Sequence, residues 1–332
     1  MSCTNPNLML FSLDPFTGSV ESFFLGPASL HDPLTFGSAA DLKTRGYYFQ
    51  PVPCGHCADC RADYAREWSN RCLLELDDNN GVGCFLTLTY NDFNLPLDDD
   101  GPTLRKRDLQ LFMKRLRWSF PDKRIRFFAC GEYGSHTQRP HYHVILFGLC
   151  LSDFGDCLVK KYNKLGQPLW ISDRLSKIWP FGYHLIGSVT KESCDYVARY
   201  TLKKQFDLDS RGNYPAHILP PFTVCSRRPG IGMLHRDSII LDSDLSERLT
   251  CDGHNGSVYS FPIPKAFIKS AKSSGLALDK LFLKSYNDSI VGSTRLLNDL
   301  IVEDLSYSDF LEKRRRQRID RLKLLQERMD FI

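Results

Sequence analysis

The stretch "GEYGSHTQRPHYHVILFG", residues Gly131–Gly148, contains two histidines one residue apart, directly before an apolar run. β-Branched and aromatic residues dominate "HYHVILFG", and this composition predicts a strand. Because successive side chains of a strand point to opposite faces, His141 and His143 share one face. The alternate positions, starting with Tyr142, face the other way, toward a core.

The segment before it, "RIRFFACGEYG", alternates apolar and polar residues and ends in glycine-rich turn chemistry, which predicts the antiparallel partner strand. Glu132 then lies across the hairpin from His141 and His143. One carboxylate and two imidazoles form a mixed oxygen and nitrogen set that suits Mg²⁺ or Mn²⁺ better than zinc. Two-residue histidine spacings are also common by chance, so this segment alone leaves metal binding and an ordinary strand role equally open.

Composition indicates a globular protein, with 332 residues, 42% hydrophobic and 25% charged. No stretch approaches the roughly 20 consecutive apolar residues of a membrane span. The N-terminal "MSCTNPNLMLFSLDPF" lacks the basic, apolar and small-residue order of a signal peptide. We therefore expect a soluble protein that acts in the cytoplasm and has no membrane partner.

Positive charge is concentrated in two segments although the formal net charge is only +4. In "TLRKRDLQLFMKRLRWSFPDK", residues 103–123, apolar residues at helical spacing predict an amphipathic helix with Thr103 as N-cap and a stop near Pro121. Its basic face suits a polyanion, with a merely solvated face as the alternative. The terminal "SDFLEKRRRQRIDRLKLLQERM" predicts a second basic helix, capped by Ser308.

The chain has twelve cysteines, which in the absence of a signal sequence are expected to be reduced thiols or metal ligands. Three recur at every third position in "PCGHCADC": Cys54, Cys57 and Cys60. Two overlapping C-x-x-C pairs favour a structural zinc site, with His56, Cys72 or Cys84 as the fourth ligand. The pattern is incomplete because no second C-x-x-C follows, and buried free thiols are the alternative.

The order of the remaining elements predicts an α+β domain. "CFLTLTY", Cys84–Tyr90, alternates as a strand, and the basic helix and the histidine hairpin follow it. This order favours an antiparallel sheet covered by helices on one face. Further downstream we expect a strand over residues 183–189, a helix from near Ser193, and a helix over residues 264–286. Residues 1–50 show no sustained periodicity, so irregular structure or short strands are expected there.

The segments "FLTLTY", "GEYGSHTQRPHYHVILFG", "YVARYTLKK" and "SRRPGIG", preceded by "PCGHCADC", together resemble the HUH endonucleases. The closest resemblance within that family is to the replication initiators of gokushovirus-type microviruses, and it spans about Pro53 to Gly232. It implies an α+β fold with a central antiparallel sheet of about five strands and helices packed on it. The implied domains are an N-terminal extension (1–50), an HUH endonuclease domain (51–235), and a mostly helical C-terminal extension with a basic terminal helix (236–332).

The resemblance also assigns roles to residues. It implies three metal ligands for Mg²⁺ or Mn²⁺: Glu132, His141 and His143. It implies a pair of nucleophilic tyrosines four residues apart on one helix face, followed by a lysine: Tyr196, Tyr200 and Lys203. Side chains expected to contact DNA phosphates are Arg139, Lys204, Arg227 and Arg228.

The implied activity is nicking and rejoining of single-stranded phage DNA at its origin by tyrosine transesterification, leaving a 5′-phosphotyrosine and a free 3′-OH for rolling-circle replication. Single-stranded or supercoiled phage origin DNA is the implied partner. Host helicase and polymerase are further expected partners, because the chain has no G-x-x-x-x-G-K-[ST] motif of its own. Two alternatives stay open: an HUH nickase of plasmid mobilisation or transposition, and a non-catalytic zinc-dependent nucleic-acid-binding protein centred on residues 54–60.

Overall fold

The structure is a computed structural model that describes residues 3–13, 20–36, 39–134, 137–163, 166–199, 215–234, 248–252, 258–273 and 279–330. The chain divides into two compact units. The smaller unit comprises Met1–Asp63 and Ala277–Ile332, and the larger unit comprises Tyr64–Leu276. The domain ranges expected from the sequence, 1–50, 51–235 and 236–332, stay predictions.

The strands, in chain order, are β1 (Asn7–Leu13), β2 (Val20–Pro27), β3 (Tyr47–Val52), β4 (Gly83–Tyr90), β5 (Leu97–Asp98), β6 (Gly101–Pro102), β7 (Arg126–Tyr133), β8 (Pro140–Phe147), β9 (Cys157–Tyr162), β10 (Pro168–Ser172), β11 (Gly182–Gly187), β12 (Phe222–Cys225), β13 (Arg248–Asp252) and β14 (Val258–Pro262). The helices are α1 (Ala39–Thr44), α2 (Ala58–Asp78), α3 (Lys106–Ser119), α4 (Asp173–Ile178), α5 (Lys191–Arg199), α6 (Lys265–Ser273), α7 (Asp279–Glu303) and α8 (Tyr307–Asp330).

The larger unit is built on an antiparallel sheet with the strand order β12-β7-β8-β4-β11-β10-β9. The predicted α+β fold and central antiparallel sheet are confirmed, but the sheet has seven strands where the sequence led us to expect about five. The additional pair is the β9–β10 hairpin at one edge. It joins the rest of the sheet through a single residue pair, Trp170 opposite Ile186, so it extends the sheet without contributing to the central hairpin.

One face of this sheet packs on the amphipathic helix α3. Its four apolar residues at helical spacing are all buried, as predicted: Leu109, Phe112, Met113 and Leu116. They share a core with the alternate residues of β4 and β8, including Leu86 and Tyr142. Burial of this stripe explains why the outer face of α3 can be almost entirely basic.

Helices also pack on the opposite face of the sheet, so the expectation of helices on one face is wrong. The Trp68 ring of α2 stacks on Phe128 of β7, with ring centroids 5.1 Å apart. Helix α5 contacts β8 on the same side. The physical reason lies in the sequence of β8, where Val144–Phe147 is apolar at every position and therefore needs cover on both faces.

Three predicted helix starts differ from the observed ones. Thr103 does not cap α3, since Arg105 occupies that position and the Thr103 hydroxyl accepts the Leu219 N–H at 3.0 Å instead. Helix α5 begins at Lys191, and the reciprocal bonds between Thr190 and Ser193, at 2.8 and 3.3 Å, form its capping box. The described helices of the C-terminal region cover 265–273 and 279–303, where one helix over 264–286 was expected.

The smaller unit contains a three-stranded antiparallel sheet, in the order β2-β1-β3, packed with α7 and α8. Leu8 of β1 and Phe49 of β3 are fully buried in a core with Leu300 of α7. The Phe49 N–H donates to the Ser293 hydroxyl at 3.1 Å. Helix α8 is capped by the hydroxyl of Ser306, which accepts the Asp309 N–H at 3.2 Å, whereas the predicted cap Ser308 lies inside the helix.

A buried ion pair of the larger unit holds the "SRRPGIG" turn, residues 226–232. Arg126 pairs with Glu75 and donates to two carbonyl oxygens of the turn, at 2.9 and 3.0 Å. Glu75 accepts the Gly232 N–H at 2.7 Å, and Arg71 donates to a third carbonyl oxygen at 3.0 Å. Position 232 requires glycine, because its φ is +63° and a Cβ there would lie 2.4 Å from the Arg71 carbonyl oxygen.

We expect Glu75→Gln to lower the free energy of unfolding of the larger unit by about 3–5 kcal/mol, since it leaves the buried Arg126 guanidinium without its counter-charge. Urea unfolding followed by tryptophan fluorescence measures this, because all four tryptophans lie in the larger unit. Lys123→Gln is the control: Lys123 is 45% exposed and bonds Asp153 at 2.8 Å, so its loss costs at most about 1 kcal/mol. Equal losses in the two variants would contradict a structural role for the buried pair.

Candidate active site

The register of the β7–β8 hairpin places Glu132 directly opposite His141, and Cys130 opposite His143. Glu132 Oε1 lies 2.7 Å from His143 Nε2 and 3.0 Å from His141 Nε2. One ligand atom from each of the three residues lies within 4.8 Å of the other two. The prediction that Glu132 faces both histidines across the hairpin is confirmed, whereas their role as metal ligands stays a prediction.

Both imidazole rings are oriented by hydrogen bonds at the nitrogen that faces away from Glu132. His143 Nδ1 lies 3.1 Å from the hydroxyl of Thr87, its cross-strand neighbour on β4. His141 Nδ1 lies 3.0 Å from the Arg139 carbonyl oxygen, which can only accept, so this nitrogen carries the proton. Such outer contacts leave Nε2 available as a ligand atom and hold the ring in place.

Burial and charge have opposite effects on the two histidines. Burial lowers the pKa of His143, the neighbouring His141 lowers it further, and the bond to Glu132 offsets this only in part. Burial also lowers the pKa of His141, but the bonds to Glu132 and to the Arg139 carbonyl outweigh it and raise that pKa above its usual value. At neutral pH, His143 is therefore a neutral imidazole, which is the form that binds a metal.

The donor set fits a hard divalent cation. One carboxylate oxygen and two imidazole nitrogens converge from a single side, which leaves the remaining coordination positions for water or substrate oxygens. Glu132 is the central member, because both histidines and Tyr196 contact the same oxygen, Oε1. A second negative group is not needed for Mg²⁺ or Mn²⁺ to be held together with a phosphate.

Tyr196 of α5 reaches this group from the covering helix. Its hydroxyl donates to Glu132 Oε1 at 3.2 Å and lies 3.4 Å from His143 Nε2. The phenol ring stands edge-on to His143, with ring centroids 5.0 Å apart, and Phe85 stacks on the other side of that imidazole at 5.5 Å. Tyr196 is 37% exposed, so its hydroxyl is both fixed and accessible to a ligand.

Three other predicted site residues, Tyr200, Lys203 and Lys204, lie outside the described residues. Their predicted roles therefore stay predictions.

Arg139 is held by partners within the protein. Its Nη1 donates to the Tyr90 carbonyl oxygen at 2.9 Å, and its Nη2 pairs with the carboxylate of Asp92. Asp92 is highly exposed, so this pair lies at the surface beside the start of the histidine strand. The guanidinium is thus positioned close to His141, but its phosphate contact stays a prediction.

Arg227 and Arg228 are exposed but are not brought to the histidines. Strand β12 runs antiparallel to β7, with Phe222 beside Gly131 and its last residue, Cys225, beside Phe128. The chain therefore leaves β12 at the end of β7 that is remote from Glu132, about 20 Å away for six residues of strand. The two arginines can contact DNA only at a distance from the candidate metal ligands.

Sequence reasoning did not identify three side chains around the site: Thr87, Phe85 and Tyr183. Thr87 and Phe85 occupy alternate positions of β4 on the face of His143, and this alternation was the available signal. Tyr183 of β11 lies opposite Thr89, which lies opposite His141, so all three belong to one row across the sheet. Its side chain is 68% exposed, on the face that carries the site.

The three predicted zinc ligands are brought together with a fourth cysteine, Cys3, which the sequence analysis missed. One Sγ atom from each of these four cysteines lies within 4.8 Å of the other three. Burial raises the pKa of Cys57, but a backbone bond from Cys60 and contacts with Thr4 outweigh it and lower that pKa to about 6. Cys3 precedes Cys54 by 51 residues, so spacing alone offered no signal for it.

The other fourth-ligand candidates lie elsewhere. His56 is exposed and outside the cluster, while Cys72 and Cys84 are buried in the larger unit. Among the residues that the structure describes, no helix combines the length and the apolar character needed to cross a membrane.

The chain is similar to several phage proteins. A family of replication-associated proteins, described by its member ORF2, matches residues 83–205, which include the hairpin and both tyrosines. The replication-associated protein ORF2 of Spiroplasma virus 4 is 31% identical over 277 residues, or 78% of this chain and 80% of that protein. The replication-associated protein VP4 of Bdellovibrio phage phiMH2K is 36% identical over 192 residues, or 54% of this chain and 56% of its own. The replication-associated protein ORF4 of Chlamydia phage 1 is 32% identical over 173 residues, or 48% and 41%. No solved structure matches the chain.

Proposed function

Because the chain belongs to the family of microvirus replication-associated proteins of the gokushovirus type, we propose that it initiates replication by nicking and rejoining single-stranded phage DNA at the origin. One observation carries the proposal: the Tyr196 hydroxyl lies 3.2 Å from Glu132 Oε1, the oxygen on which both histidines converge. A potential nucleophile and a set of cation ligands thus meet at one point on the sheet. This is the arrangement that phosphodiester transesterification needs.

Glu132, His141 and His143 would hold Mg²⁺ or Mn²⁺. When bound, the cation neutralises charge on the non-bridging phosphate oxygens and so makes phosphorus more open to attack. The protein's own contribution is to position the phosphate and the tyrosine together. The orienting bonds of Thr87 and of the Arg139 carbonyl keep the two imidazoles directed at the same place.

Tyr196 performs the bond-making step. A phenol with an unperturbed pKa of about 10 is a weak nucleophile at neutral pH, so its proton must be accepted as attack begins. Glu132 Oε1 already accepts the hydrogen bond from that hydroxyl. The Tyr196 oxygen bonds to phosphorus, the bond from phosphorus to the 3′ oxygen breaks, and the 3′ oxygen takes up a proton. The products are a 5′-phosphotyrosine and a free 3′-OH.

Tyr200 supplies the second cut. While one tyrosine holds the displaced 5′ end, the other cuts the regenerated origin, and the new 3′-OH attacks the first phosphotyrosine to close a circle. Lys203 is the cation that would favour the phenolate form of the tyrosines, with Lys204 beside it as a phosphate contact. Host polymerase would extend the 3′-OH and host helicase would separate the strands, which places the reaction in the cytoplasm of the bacterial host.

Single-stranded DNA is the substrate that the site favours. Exposed Tyr183 lies two strands from His141 on the same face, about 10 Å away. An unpaired base can stack on such a ring, and each stacked base contributes roughly 1–3 kcal/mol. Arg139 would contact a phosphate beside the site, and Arg227 and Arg228 would contact the strand farther along it.

The experiment that tests the proposal incubates the purified full chain with single-stranded circular DNA carrying the cognate origin and with Mn²⁺ or Mg²⁺. We expect a protein-linked DNA band on a denaturing gel, its loss with EDTA, and extension of the cut strand by an added polymerase. Cleavage without a protein-linked product would contradict the tyrosine mechanism. Tight DNA binding without cleavage under either ion would favour the non-catalytic binding protein.

A further inference from the structure

Four cysteine sulfurs of the smaller unit form a compact group. The Sγ of Cys3 lies 3.6 Å from that of Cys54 and 3.7 Å from that of Cys57, and Cys54 Sγ lies 4.0 Å from Cys60 Sγ. Four thiolates bound to zinc at about 2.3 Å in tetrahedral geometry lie about 3.8 Å from one another. The observed separations match that value.

We propose that Cys3, Cys54, Cys57 and Cys60 form a tetrathiolate site for a structural zinc ion, which fastens the N-terminal residues to the start of α2. This site is separate from the candidate active site and does not depend on the proposed function. It requires Cys3 in addition to the three cysteines of the "PCGHCADC" segment.

Backbone hydrogen bonds to the sulfurs support a metal-bound thiolate group. The Cys54 N–H donates to Cys3 Sγ at 3.4 Å, the Cys57 N–H to Cys54 Sγ at 3.3 Å, and the Cys60 N–H to Cys57 Sγ at 3.5 Å. Each bond stabilises negative charge on a sulfur and orients it toward the centre of the group. The turn they form needs Gly55 at a φ of +81°.

The alternatives fit less well. A disulfide needs sulfurs about 2.05 Å apart, and no pair in this group approaches that distance. Cysteines that serve only as small apolar residues are fully buried in a core, whereas Cys3, Cys54 and Cys57 are partly exposed. Four thiols within hydrogen-bonding distance of one another are otherwise explained by a shared ligand.

The location of the group indicates its structural effect. Cys3 immediately precedes β1, and Cys54 follows β3, the strand that pairs with β1. Asp59, between Cys57 and Cys60, is buried and accepts a bond from Arg318 of α8 at 3.1 Å. One ion would therefore tie together the two ends of the β1–β3 pair and the beginning of α2, beside the terminal helix. Binding to the folded form only makes such an ion a folding constraint.

The test measures metal content in the full chain purified without chelator and then extensively dialysed. We expect one zinc per chain in the wild type, and in Cys3→Ser a zinc affinity lower by more than about 100-fold, because even outer-shell changes cost 10–100-fold. Cys157→Ser, a partly exposed cysteine of the larger unit, is the matched control and should retain the ion. His143→Ala should retain it as well, which separates this site from the candidate active site.

A spectroscopic measurement keeps the test independent of how well Cys3→Ser folds. Wild-type chain exchanged with Co²⁺ should show the intense visible absorption of a tetrahedral site and a thiolate-to-cobalt charge-transfer band. Zinc absent from the wild type, iron in its place, or a cobalt spectrum of octahedral type would overturn the proposal. So would a folded Cys3→Ser chain that binds zinc as tightly as the wild type.

Discussion

Replacement of Tyr196 by phenylalanine lowers the yield of protein-linked DNA in the first cleavage by about 1000-fold or more. The substitution removes the oxygen that would bond to phosphorus and leaves the ring, so the packing against His143 and Phe85 is kept. The paired groups Glu132 and His143 also keep each other as partners. Loss of a nucleophile in a concerted group of catalytic residues removes nearly all of the rate while substrate binding persists.

The measurement is a single-turnover reaction on origin DNA with Mn²⁺, resolved on a denaturing gel and accompanied by a DNA-binding assay. Tyr162→Phe is the matched control, since Tyr162 is an exposed tyrosine of the edge strand β9 and should react like wild type. Tyr200→Phe and the double variant identify which tyrosine cuts first. Undiminished adduct in Tyr196→Phe, with loss in Tyr200→Phe, would show that Tyr196 serves only the second cut.

Replacement of Glu132 by glutamine raises the Mn²⁺ concentration needed for cleavage by more than about 100-fold, because a neutral amide replaces the only carboxylate among the three ligands and outer-shell changes alone cost 10–100-fold. The amide has the same shape, so the hairpin register and the approach of Tyr196 are retained. Titration of the cleavage rate with Mn²⁺ measures the effect, and calorimetric Mn²⁺ binding confirms it without reference to activity.

Thr87→Val provides a graded comparison for Glu132→Gln. Thr87 contacts only the outer nitrogen of His143, at 3.1 Å, so its loss should weaken Mn²⁺ binding by about 10-fold to 100-fold. An unchanged Mn²⁺ dependence in Glu132→Gln would contradict the assignment of the three ligands. An equal effect of both substitutions would indicate that ring orientation, and not direct ligation, limits binding.

Local periodicity accounts for the parts of the site that the sequence predicted. A strand repeats every two residues, so His141 and His143 had to share a face, and a short hairpin had to bring Glu132 opposite them. The helix that carries Tyr196 was likewise readable from its spacing, although its start moved to Lys191 because Thr190 and Ser193 cap it. That this helix reaches the hairpin was implied by resemblance and is now described by distances.

Long-range pairing accounts for what the sequence did not predict. Cys3 joins Cys54 because β1 pairs with β3, and no spacing rule connects residues 51 positions apart. Arg227 and Arg228 lie away from Glu132 because β12 runs antiparallel to β7. Thr87 reaches His143 because β4 lies beside β8 in the sheet. The sequence by itself determined the α+β class and the convergence of Glu132, His141 and His143, since both follow from local backbone geometry. Only the tertiary structure decided the fourth cysteine, the second helical layer and the distance of the arginines, because these depend on which strands and helices pair across the chain.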